Sequence, residues 1–317
     1  MNVSIGIDVG GTKCALSVGK CAEDSVRILH REEFPTVLRR SCGGPACWEV
    51  TLEEYARRIE AWMARPESAS CRIANVGISC GGPLDSRKGV VLSPPNLPGW
   101  DDVPIVKFFA ERFNVPVHLQ NDANACAYAE WKFGAGRGTK NMVFMTFGTG
   151  LGAGIVIDGK LYAGTNDNAG EIGHIRLAPT GPVGYNKQGS AEGFCSGAGM
   201  TKLAFIRARE CGVELPEDFG TKELFRRIDE GDDFCLSVFR ESAAHLGMII
   251  SYVIDMLNPE VVVLGGVFMR QQERFMKEIA PILEREALPF ANKVCRVVGS
   301  ELSEKIGDYA ALSVANM

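Results

Sequence analysis

Two short turns that combine glycine with threonine are the stretches of this chain best suited to chemistry. The first lies in Asp8-Val-Gly-Gly-Thr-Lys13, and the second is Gly148-Thr-Gly150. Glycine lets the backbone approach an anion closely, and consecutive N–H groups with a threonine hydroxyl can hold phosphate oxygens. Either turn alone is also typical of a tight hairpin. The second copy favours phosphate binding, by Gly10, Gly11, Thr12, Lys13, Gly148, Thr149 and Gly150.

Two further features suit a nucleotide. Asp8 ends a predicted strand, where its carboxylate could bind Mg²⁺ directly or through water. Gly265 and Gly266 follow a buried strand and would offer a flat surface for a base or ribose. The Gly and Lys spacing is not that of a Walker loop, and G-x-G-x-x-G is missing, so a dinucleotide site is not supported.

Asn121 and Asp122 stand where a predicted strand meets a predicted helix. Asn and Asp are preferred helix caps, so a capping role is one interpretation of both residues. The other interpretation makes Asp122 a general base that takes the proton of an attacking hydroxyl, with Asn121 holding a neighbouring hydroxyl. The two interpretations are compatible if the carboxylate of Asp122 points into a binding site.

Polar side chains in Gly-rich or Pro-rich loops suit a ligand with many hydroxyl groups: Asn96, Glu171, His174 and Glu192. Taken singly, each is also typical of an ordinary loop residue. Glu171 and His174 resemble half of a metal site, but the next thiol along the chain is Cys195. One thiol and one imidazole are too few for a tetrahedral zinc ion.

Composition narrows the class of protein. The 317 residues are 46% hydrophobic and 23% charged, with a net charge of −5, which is typical of a soluble protein with two domains. The absence of a long basic cluster argues against nucleic-acid binding, and no apolar run reaches the ~20 residues of a membrane helix. The N-terminus reads as a strand, so no signal peptide is expected. Eleven irregularly spaced cysteines, without Cys-x-x-Cys, indicate reduced thiols in a cytoplasmic protein.

Hydrophobic periodicity predicts the elements that position these residues. Strands are predicted at 3–9, 15–18, 73–78, 115–119, 143–147, 152–157 and 261–264, and helices at 51–63, 103–113, 122–133, 241–257 and about 306–315. Thr51 and Glu54 have the spacing of a capping box at the start of the first helix. The unit strand, Gly-Thr turn, strand opens both halves of the chain, which predicts an internal repeat of two similar domains facing one another.

The motifs, taken in order, resemble those of the ROK family (repressors, open reading frames and sugar kinases). The matching stretches are Ile7-Asp-Val-Gly-Gly-Thr-Lys13, Gln120-Asn-Asp-Ala-Asn-Ala125, Phe147-Gly-Thr-Gly-Leu-Gly-Ala-Gly154, Gly170-Glu-Ile-Gly-His174 and Leu257-Asn-Pro-Glu-Val-Val-Val-Leu-Gly-Gly266. The resemblance implies an α/β actin-like fold with two ribonuclease H-like domains around a cleft. Residues 1–120, completed by a C-terminal helix at 305–317, would form one domain, and residues 121–304 the other.

The resemblance also implies an activity and its residues. We expect ATP with Mg²⁺, a hexose or N-acetylhexosamine substrate, and a homodimer. Asp122 takes the role of the catalytic base, and the residues that match sugar contacts are Gly82, Asn96, Asn121, Asp122, Glu171, His174 and Glu192.

Two departures from the family pattern matter. ROK repressors carry an N-terminal DNA-binding segment, and here the first strand begins at Val3, so we expect no DNA binding. Many ROK kinases have Cys-x-Cys-Gly-x-x-Gly-Cys-x-Glu after the histidine, whose cysteines hold a structural zinc. Val183, Tyr185 and Ser190 replace those cysteines here, while Gly189 and Glu192 remain. We therefore expect no structural zinc.

The sequence thus predicts an ATP-dependent hexose kinase that phosphorylates a sugar hydroxyl, with the 6-OH of glucose as the default. One alternative is a non-catalytic sugar sensor or transcription regulator on the same scaffold. The retained Asp122 and both phosphate turns argue against it. An actin-like assembly protein is a further alternative, which would leave Glu171, His174 and Glu192 unexplained.

Overall fold

The computed structural model describes residues 1–37 and 47–317. Cys42 and the pair Arg39-Arg40 lie outside the described residues. The strands are β1 (Asn2–Val9), β2 (Lys13–Cys21), β3 (Val26–Pro35), β4 (Arg72–Cys80), β5 (Leu84–Asp85), β6 (Val90–Val91), β7 (Val117–Asn121), β8 (Met142–Met145), β9 (Ala153–Ile157), β10 (Lys160–Tyr162), β11 (Val183–Gly184), β12 (Lys187–Gln188), β13 (Val261–Leu264) and β14 (Arg296–Gly299). The helices are α1 (Cys47–Met63), α2 (Ile105–Phe113), α3 (Asp122–Phe133), α4 (Ala191–Phe194), α5 (Gly197–Cys211), α6 (Thr221–Asp229), α7 (Asp233–Leu257), α8 (Val267–Arg270), α9 (Gln272–Glu286), α10 (Pro289–Val294) and α11 (Ile306–Val314). Single 3₁₀ turns lie at Pro66–Ser68, Ile172–His174 and Ser303–Lys305.

The first of two compact units comprises Met1–Arg137, Ala163–Ala169 and Glu304–Met317. Its sheet has the order β3-β2-β1-β4-β7, with β2 antiparallel to β1 and β3, and with β4 parallel to β1 and β7. The C-terminal helix α11 packs closely on this sheet, since a Cβ on Gly77 would lie 2.2 Å from the carbonyl oxygen of Ala311. Helix α3 in turn packs against α11. This packing fixes the carboxyl ends of β1, β4 and β7, where the predicted residues of this unit lie.

The second unit comprises Gly138–Tyr162 and Gly170–Ser303. Its sheet has the order β10-β9-β8-β13-β14, and β8 is antiparallel to β9 and parallel to β13. These are the order and directions of the first sheet, so the predicted internal repeat is confirmed. Long helices α7 and α9 pack together, and Gly247 lets Ile282 approach to 3.0 Å of where a Cβ would stand. The predicted α/β fold with two similar domains follows from this repeated topology.

The predicted start of the first helix is wrong. Helix α1 begins at Cys47, so Thr51 is a buried residue inside it, and its hydroxyl donates to the carbonyl oxygen of Cys47 at 3.0 Å. Glu54 pairs with Arg57 and Arg58 instead of closing a capping box. A threonine can cap a helix, or it can lie inside one and donate to the carbonyl oxygen four residues earlier. The spacing between Thr51 and Glu54 fits both arrangements, so the sequence does not distinguish them.

The longest helix also begins earlier than its predicted start at residue 241. Asp232 caps α7, because its Oδ1 accepts a hydrogen bond from the N–H of Cys235 at 2.9 Å. No helix in the part of the chain that the structure describes, α7 included, is both long enough and apolar enough to cross a membrane.

Candidate functional site

The predicted residues divide between the two units. In the first unit, β1 and β2 pair as an antiparallel hairpin whose turn holds the first Gly-Thr sequence. Gly11 lies against Asn96, since a Cβ on Gly11 would stand 2.7 Å from the carbonyl oxygen of Asn96. Thr12 and Lys13 are exposed, and Nζ of Lys13 pairs with Glu33 at 2.7 Å. The turn therefore presents a close backbone surface with an exposed hydroxyl, as a phosphate site requires.

Asp8 lies directly before this turn and has two carboxylate neighbours. Its pKa is raised to about 7, first because burial removes water from the carboxylate, and then because Asp122 and Asp308 are negatively charged. A hydrogen bond with Ser79 and the charge of Lys13 act in the opposite direction. Concentrated negative charge of this kind favours a cation.

Asp308 is the member of this group that sequence reasoning missed. It is 5% exposed, accepts hydrogen bonds from Ser17 and from Nε of Arg31, and follows Gly307, where a Cβ would lie 3.0 Å from Oδ2 of Asp8. The sequence offered one signal: Asp308 lies at the start of the last helix, in Ile306-Gly-Asp308, and this helix was expected to return to the first domain.

Asn121 and Asp122 have different roles at the start of α3. Oδ1 of Asn121 accepts hydrogen bonds from the N–H groups of Ala123 at 3.0 Å and Asn124 at 3.4 Å, so Asn121 is the helix cap. Asp122 is the first residue of the helix, and its side chain is exposed. Loss of water around the carboxyl raises the pKa of Asp122, while hydrogen bonding to the N–H of Ala123 opposes the rise. A carboxylate with a raised pKa takes up a proton more readily than an ordinary one.

The loops after β4 bring Gly82 and Asn96 to the same end of the sheet. A Cβ on Gly82 would lie 3.2 Å from Nδ2 of Asn121, and one on Gly81 would lie 3.3 Å from Nδ2 of Asn96. The side chains of both asparagines thus border the glycines. The structure therefore brings together, within one unit, the predicted residues Gly11, Gly82, Asn96 and Asn121, with Asp122 next to Asn121 in the chain.

In the second unit, the turn at 148–150 lies beside Gly266. A Cβ on Gly266 would stand 2.1 Å from the carbonyl oxygen of Phe147 and 3.3 Å from the nitrogen of Gly148. Gly266 also has a φ of 62°, in the region that favours glycine. The two predicted nucleotide elements of this unit are therefore in direct contact.

Sequence reasoning missed the start of α5 as part of this group. The N–H of Gly197 donates to the carbonyl oxygen of Gly148 at 2.7 Å, and Ser196 caps α5 by accepting from the N–H of Gly199 at 2.9 Å. A 15-residue helix thus begins beside the second Gly-Thr turn. A helix N-terminus is electrostatically suited to an anion. The signal was Ser196-Gly-Ala-Gly199, a capping residue before glycines.

A cavity of about 330 Å³ is lined in part by residues that follow Gly266 in the sequence. Its lining includes Thr221, Phe225 and Arg226 of α6, Val267 and Arg270 of α8, and Gln271. Val267 follows Gly266 directly, so the cavity adjoins the elements that were expected to hold a base or ribose.

Glu192 joins the second Gly-Thr turn to the Glu171–His174 segment. Its Oε2 accepts a hydrogen bond from the N–H of Leu151 at 3.1 Å, and a Cβ on Gly150 would stand 2.7 Å from the same oxygen. Its Cβ also packs on Gly173 at 3.3 Å from where a side chain would begin. Glu192 therefore touches both the predicted phosphate turn and the predicted sugar segment.

His174 closes a single 3₁₀ turn that begins after Glu171, and both side chains are exposed. The ring of Tyr185 meets the imidazole edge-on, with centroids 5.5 Å apart and an interplanar angle of 87°. Nζ of Lys187 donates to the carbonyl oxygen of His174 at 2.7 Å. The hairpin of β11 and β12 thus contacts the histidine directly.

The side chains that the structure describes do not by themselves surround a metal ion. Within residues 1–37 and 47–317, no three His, Cys, Asp or Glu side chains lie close enough together to hold a metal ion. Ser190, at one of the replaced cysteine positions, instead donates to the carbonyl oxygen of Gly184 at 3.0 Å and caps α4. Mg²⁺ has different needs from zinc, because it commonly keeps several waters and binds one or two carboxylates together with substrate phosphates. Asp8 fits that requirement.

Comparison with known proteins agrees with these features. A family model described as the ROK family matches residues 4–316. A glucokinase of Halalkalibacterium halodurans is 32% identical over 294 residues, which are 90% of this chain and 86% of that protein. The relatives also include a xylose repressor of Caldicellulosiruptor bescii, which is 28% identical over 262 residues, or 75% of this chain and 65% of that protein.

Solved structures show the same fold. A ROK hexokinase from Thermus thermophilus has a TM-score of 0.81 at 28% identity, covering 99% of this chain and 98% of that one. A ROK family glucokinase from Streptomyces griseus, in complex with glucose and AMPPNP, has a TM-score of 0.72 at 29% identity, with the same coverage of 99% and 98%. The predicted actin-like fold is therefore confirmed, and this chain belongs to the ROK family.

Proposed function

We propose that this protein is a sugar kinase that transfers the γ-phosphoryl group of MgATP to a hydroxyl of a hexose, with Asp122 as the general base. The observation that carries the proposal is the division of roles at the start of α3. Asn121 provides the cap, so Asp122 keeps an exposed carboxylate with a raised pKa. The raised pKa of Asp122 supports a carboxylate that accepts a proton from a substrate hydroxyl.

The first unit would supply the base and hydroxyl partners. Asp122 orients a sugar hydroxyl, which we take to be the 6-OH of glucose, and accepts its proton as the oxygen attacks phosphorus. Gly82, Asn96 and Asn121 would bind neighbouring hydroxyls. Phosphoryl transfer depends mainly on positioning and on charge stabilisation, so a fixed carboxylate contributes most by orienting the nucleophile.

The second unit would bind further hydroxyls and the nucleotide. Glu171, His174 and Glu192 form the second group of polyol contacts. The turn at 148–150, with the start of α5, suits phosphate oxygens, and the cavity beside Gly266 suits the adenosine. The S. griseus relative was solved with AMPPNP, which supports ATP as the donor.

Mg²⁺, when bound, would neutralise charge on the phosphates. Asp8 would hold it, directly or through water, and the turn at Gly10, Gly11, Thr12 and Lys13 would face the phosphate oxygens. The negative charge around Asp8 supports this assignment. Each of these residues binds or orients, and none forms a bond to the transferred group.

The alternative is a non-catalytic sugar-responsive regulator, and a xylose repressor among the relatives keeps it in view. Both readings predict sugar binding, but only the kinase predicts turnover. The test is a coupled ADP-release assay with MgATP over glucose, fructose, mannose, allose, N-acetylglucosamine and N-acetylmannosamine. Sugar-dependent ADP release supports the kinase. Sugar binding by calorimetry without any ADP release would favour the regulator.

Two further expectations belong to this proposal. We propose a homodimer, supported by exposed apolar side chains in the second unit, such as Met256 at 77% and Phe290 at 83% exposure. Light scattering during size-exclusion chromatography measures the mass directly. We also propose a cytoplasmic location, supported by the ten cysteines of the described residues, which are all free thiols.

A further inference from the structure

The hairpin of β11 and β12 makes an aromatic contact where the family resemblance implies a zinc-binding motif. Tyr185 occupies the position of one of the expected cysteines, and its ring lies edge-on to the imidazole of His174. A centroid separation of 5.5 Å and an angle of 87° are within the range of favourable aromatic pairs. Tyr185, at a position where many ROK kinases have a zinc-binding cysteine, therefore contacts His174, a proposed sugar-binding residue.

The backbone at this position is unusual for a tyrosine. Tyr185 and Asn186 have φ values of 48° and 59°, so both central residues of the two-residue hairpin turn are left-handed. Asparagine is favoured in such a turn, but a bulky aromatic residue is an outlier there. This conformation is energetically costly for an ordinary L-residue. The contacts of the tyrosine side chain must offset that cost.

The phenol also lies in the field of both proposed sugar carboxylates. Its pKa is raised, first because neighbouring atoms exclude water, and then because Glu171 and Glu192 are negatively charged. The hydroxyl therefore keeps its proton at neutral pH and can donate a hydrogen bond. Since the residue is 47% exposed, a ligand has access to the ring and to the hydroxyl.

Hydrogen bonds attach the rest of the hairpin to its surroundings. Lys187 donates to the carbonyl oxygen of His174, and Arg176 donates to the carbonyl oxygen of Gln188, each at 2.7 Å. Ser190 donates to Gly184 and accepts from the N–H of Gly193 at 3.2 Å. These bonds hold the hairpin against the segment of His174, so Tyr185 is not required for that attachment.

We propose that Tyr185 is a sugar-binding and positioning residue, whose ring orients the imidazole of His174 and whose hydroxyl donates to a hexose hydroxyl beside Glu171 and Glu192. This role rests on the proposed function, and it assigns a sugar contact to a residue that departs from the family pattern. The ligand class is a polyhydroxylated sugar, whose oxygens can accept from the phenol.

Three substitutions separate positioning from a structural role. Tyr185→Phe keeps the ring and removes the hydroxyl, so we expect the sugar KM to rise ~5-fold, as for the loss of one hydrogen bond. Tyr185→Ala removes both, so the sugar KM rises at least ~10-fold and kcat falls, since the imidazole loses its packing. The KM for ATP should stay within about twofold of the wild-type value in both variants, because neither variant changes a proposed nucleotide contact.

Tyr185→Asn is the decisive variant. Asparagine fits the left-handed conformation, so the melting temperature is unchanged or higher, while the sugar KM rises as for alanine. A residue that only stabilises the hairpin would give the opposite pattern, with a lower melting temperature and an unchanged sugar KM. Tyr162→Phe and Tyr162→Ala are matched controls, because Tyr162 is 52% exposed in the same unit and lies outside the proposed site.

Measurements on the wild-type protein show whether the role of Tyr185 or the kinase function itself is wrong. If it binds and phosphorylates a sugar while all three variants keep wild-type sugar KM and Kd, the role of Tyr185 is wrong and the kinase stands. If it binds sugar without turnover, calorimetry on the variants still tests Tyr185. If it binds none of the panel, both proposals fail. About one zinc ion per purified chain, with a lower melting temperature in EDTA, would overturn the expectation that this hairpin binds no structural zinc.

Discussion

The carboxylate of Glu192 accepts a hydrogen bond from the backbone N–H of Leu151 at 3.1 Å. Sequence matching made Glu192 a sugar contact, yet the structure also places it against the turn at 148–150. The oxygen that accepts this bond, Oε2, therefore lies against that turn. Glu192 thus links the two ligands of the proposed reaction within one unit.

Glu192→Gln and Glu192→Ala should therefore differ. Glutamine keeps a carbonyl oxygen that can accept from Leu151, so we expect a higher sugar KM with a nearly unchanged KM for ATP. Alanine removes the acceptor and frees the turn, so both KM values should rise. Steady-state kinetics with each substrate varied in turn measures the difference. An alanine variant with an altered sugar KM alone would show that the hydrogen bond to Leu151 does not support nucleotide binding.

Asp122→Asn should abolish most turnover and leave sugar binding intact. The substitution keeps the shape of the side chain but removes its ability to accept a proton, so kcat should fall by ~10²–10⁴-fold. The sugar Kd, measured by calorimetry, should change little. Asp233→Asn is the matched control, because Asp233 is likewise the exposed first residue of a helix and follows the capping residue Asp232. Near wild-type turnover in Asp122→Asn would remove Asp122 from the mechanism.

Asp8→Asn should stabilise the metal-free protein at high pH. The pKa of Asp8 is about 7 in the folded protein and 3.8 ordinarily, so the folded state binds this proton more tightly than the unfolded state. The ionised carboxylate therefore destabilises the fold progressively between about pH 4 and pH 7, and fully above that range. In EDTA, the gain in melting temperature from Asp8→Asn should be larger at pH 8 than at pH 5, and kinase activity should fall.

Asp308→Asn provides the contrast for that experiment. Asp308 is ion-paired with Arg31 at 2.7 Å, so its loss should lower the melting temperature. A change in melting temperature for Asp8→Asn that is equal at the two pH values would contradict the charge repulsion around Asp8.

Gly266→Ala should cost stability and nucleotide binding together. Alanine at a φ of 62° is strained, and its Cβ would meet the carbonyl oxygen of Phe147, so the contact with the turn at 148–150 must shift. Gly231→Ala isolates the strain, because Gly231 has a φ of 89° and open space around its Cβ position. We expect Gly231→Ala to lose ~1 kcal/mol of unfolding free energy with an unchanged KM for ATP. Gly266→Ala should lose more and raise that KM; equal behaviour of the two variants would argue against the nucleotide role.

The strands and the Gly-Thr turns of this protein follow from its sequence alone. Alternating apolar residues in β1 and the apolar run in β13 identify strands, because side chains alternate across a pleated sheet. The Gly-Thr turns fall between paired strands, as their composition predicts. The repeat of this unit was also readable, since each copy uses the same strand–turn–strand pattern.

The tertiary structure decided how side chains at these positions are used. Asn121 and Asp122 are both good caps, and only the geometry of α3 gives the cap to Asn121 and leaves Asp122 exposed. Asp308 lies near Asp8, and Glu192 bonds Leu151, although long stretches of chain separate each pair. Hydrophobic periodicity predicts which face of a helix or strand is buried, because apolar residues recur along the chain with the period of that element. It does not record which distant element covers that face, because packing between elements depends on the whole fold.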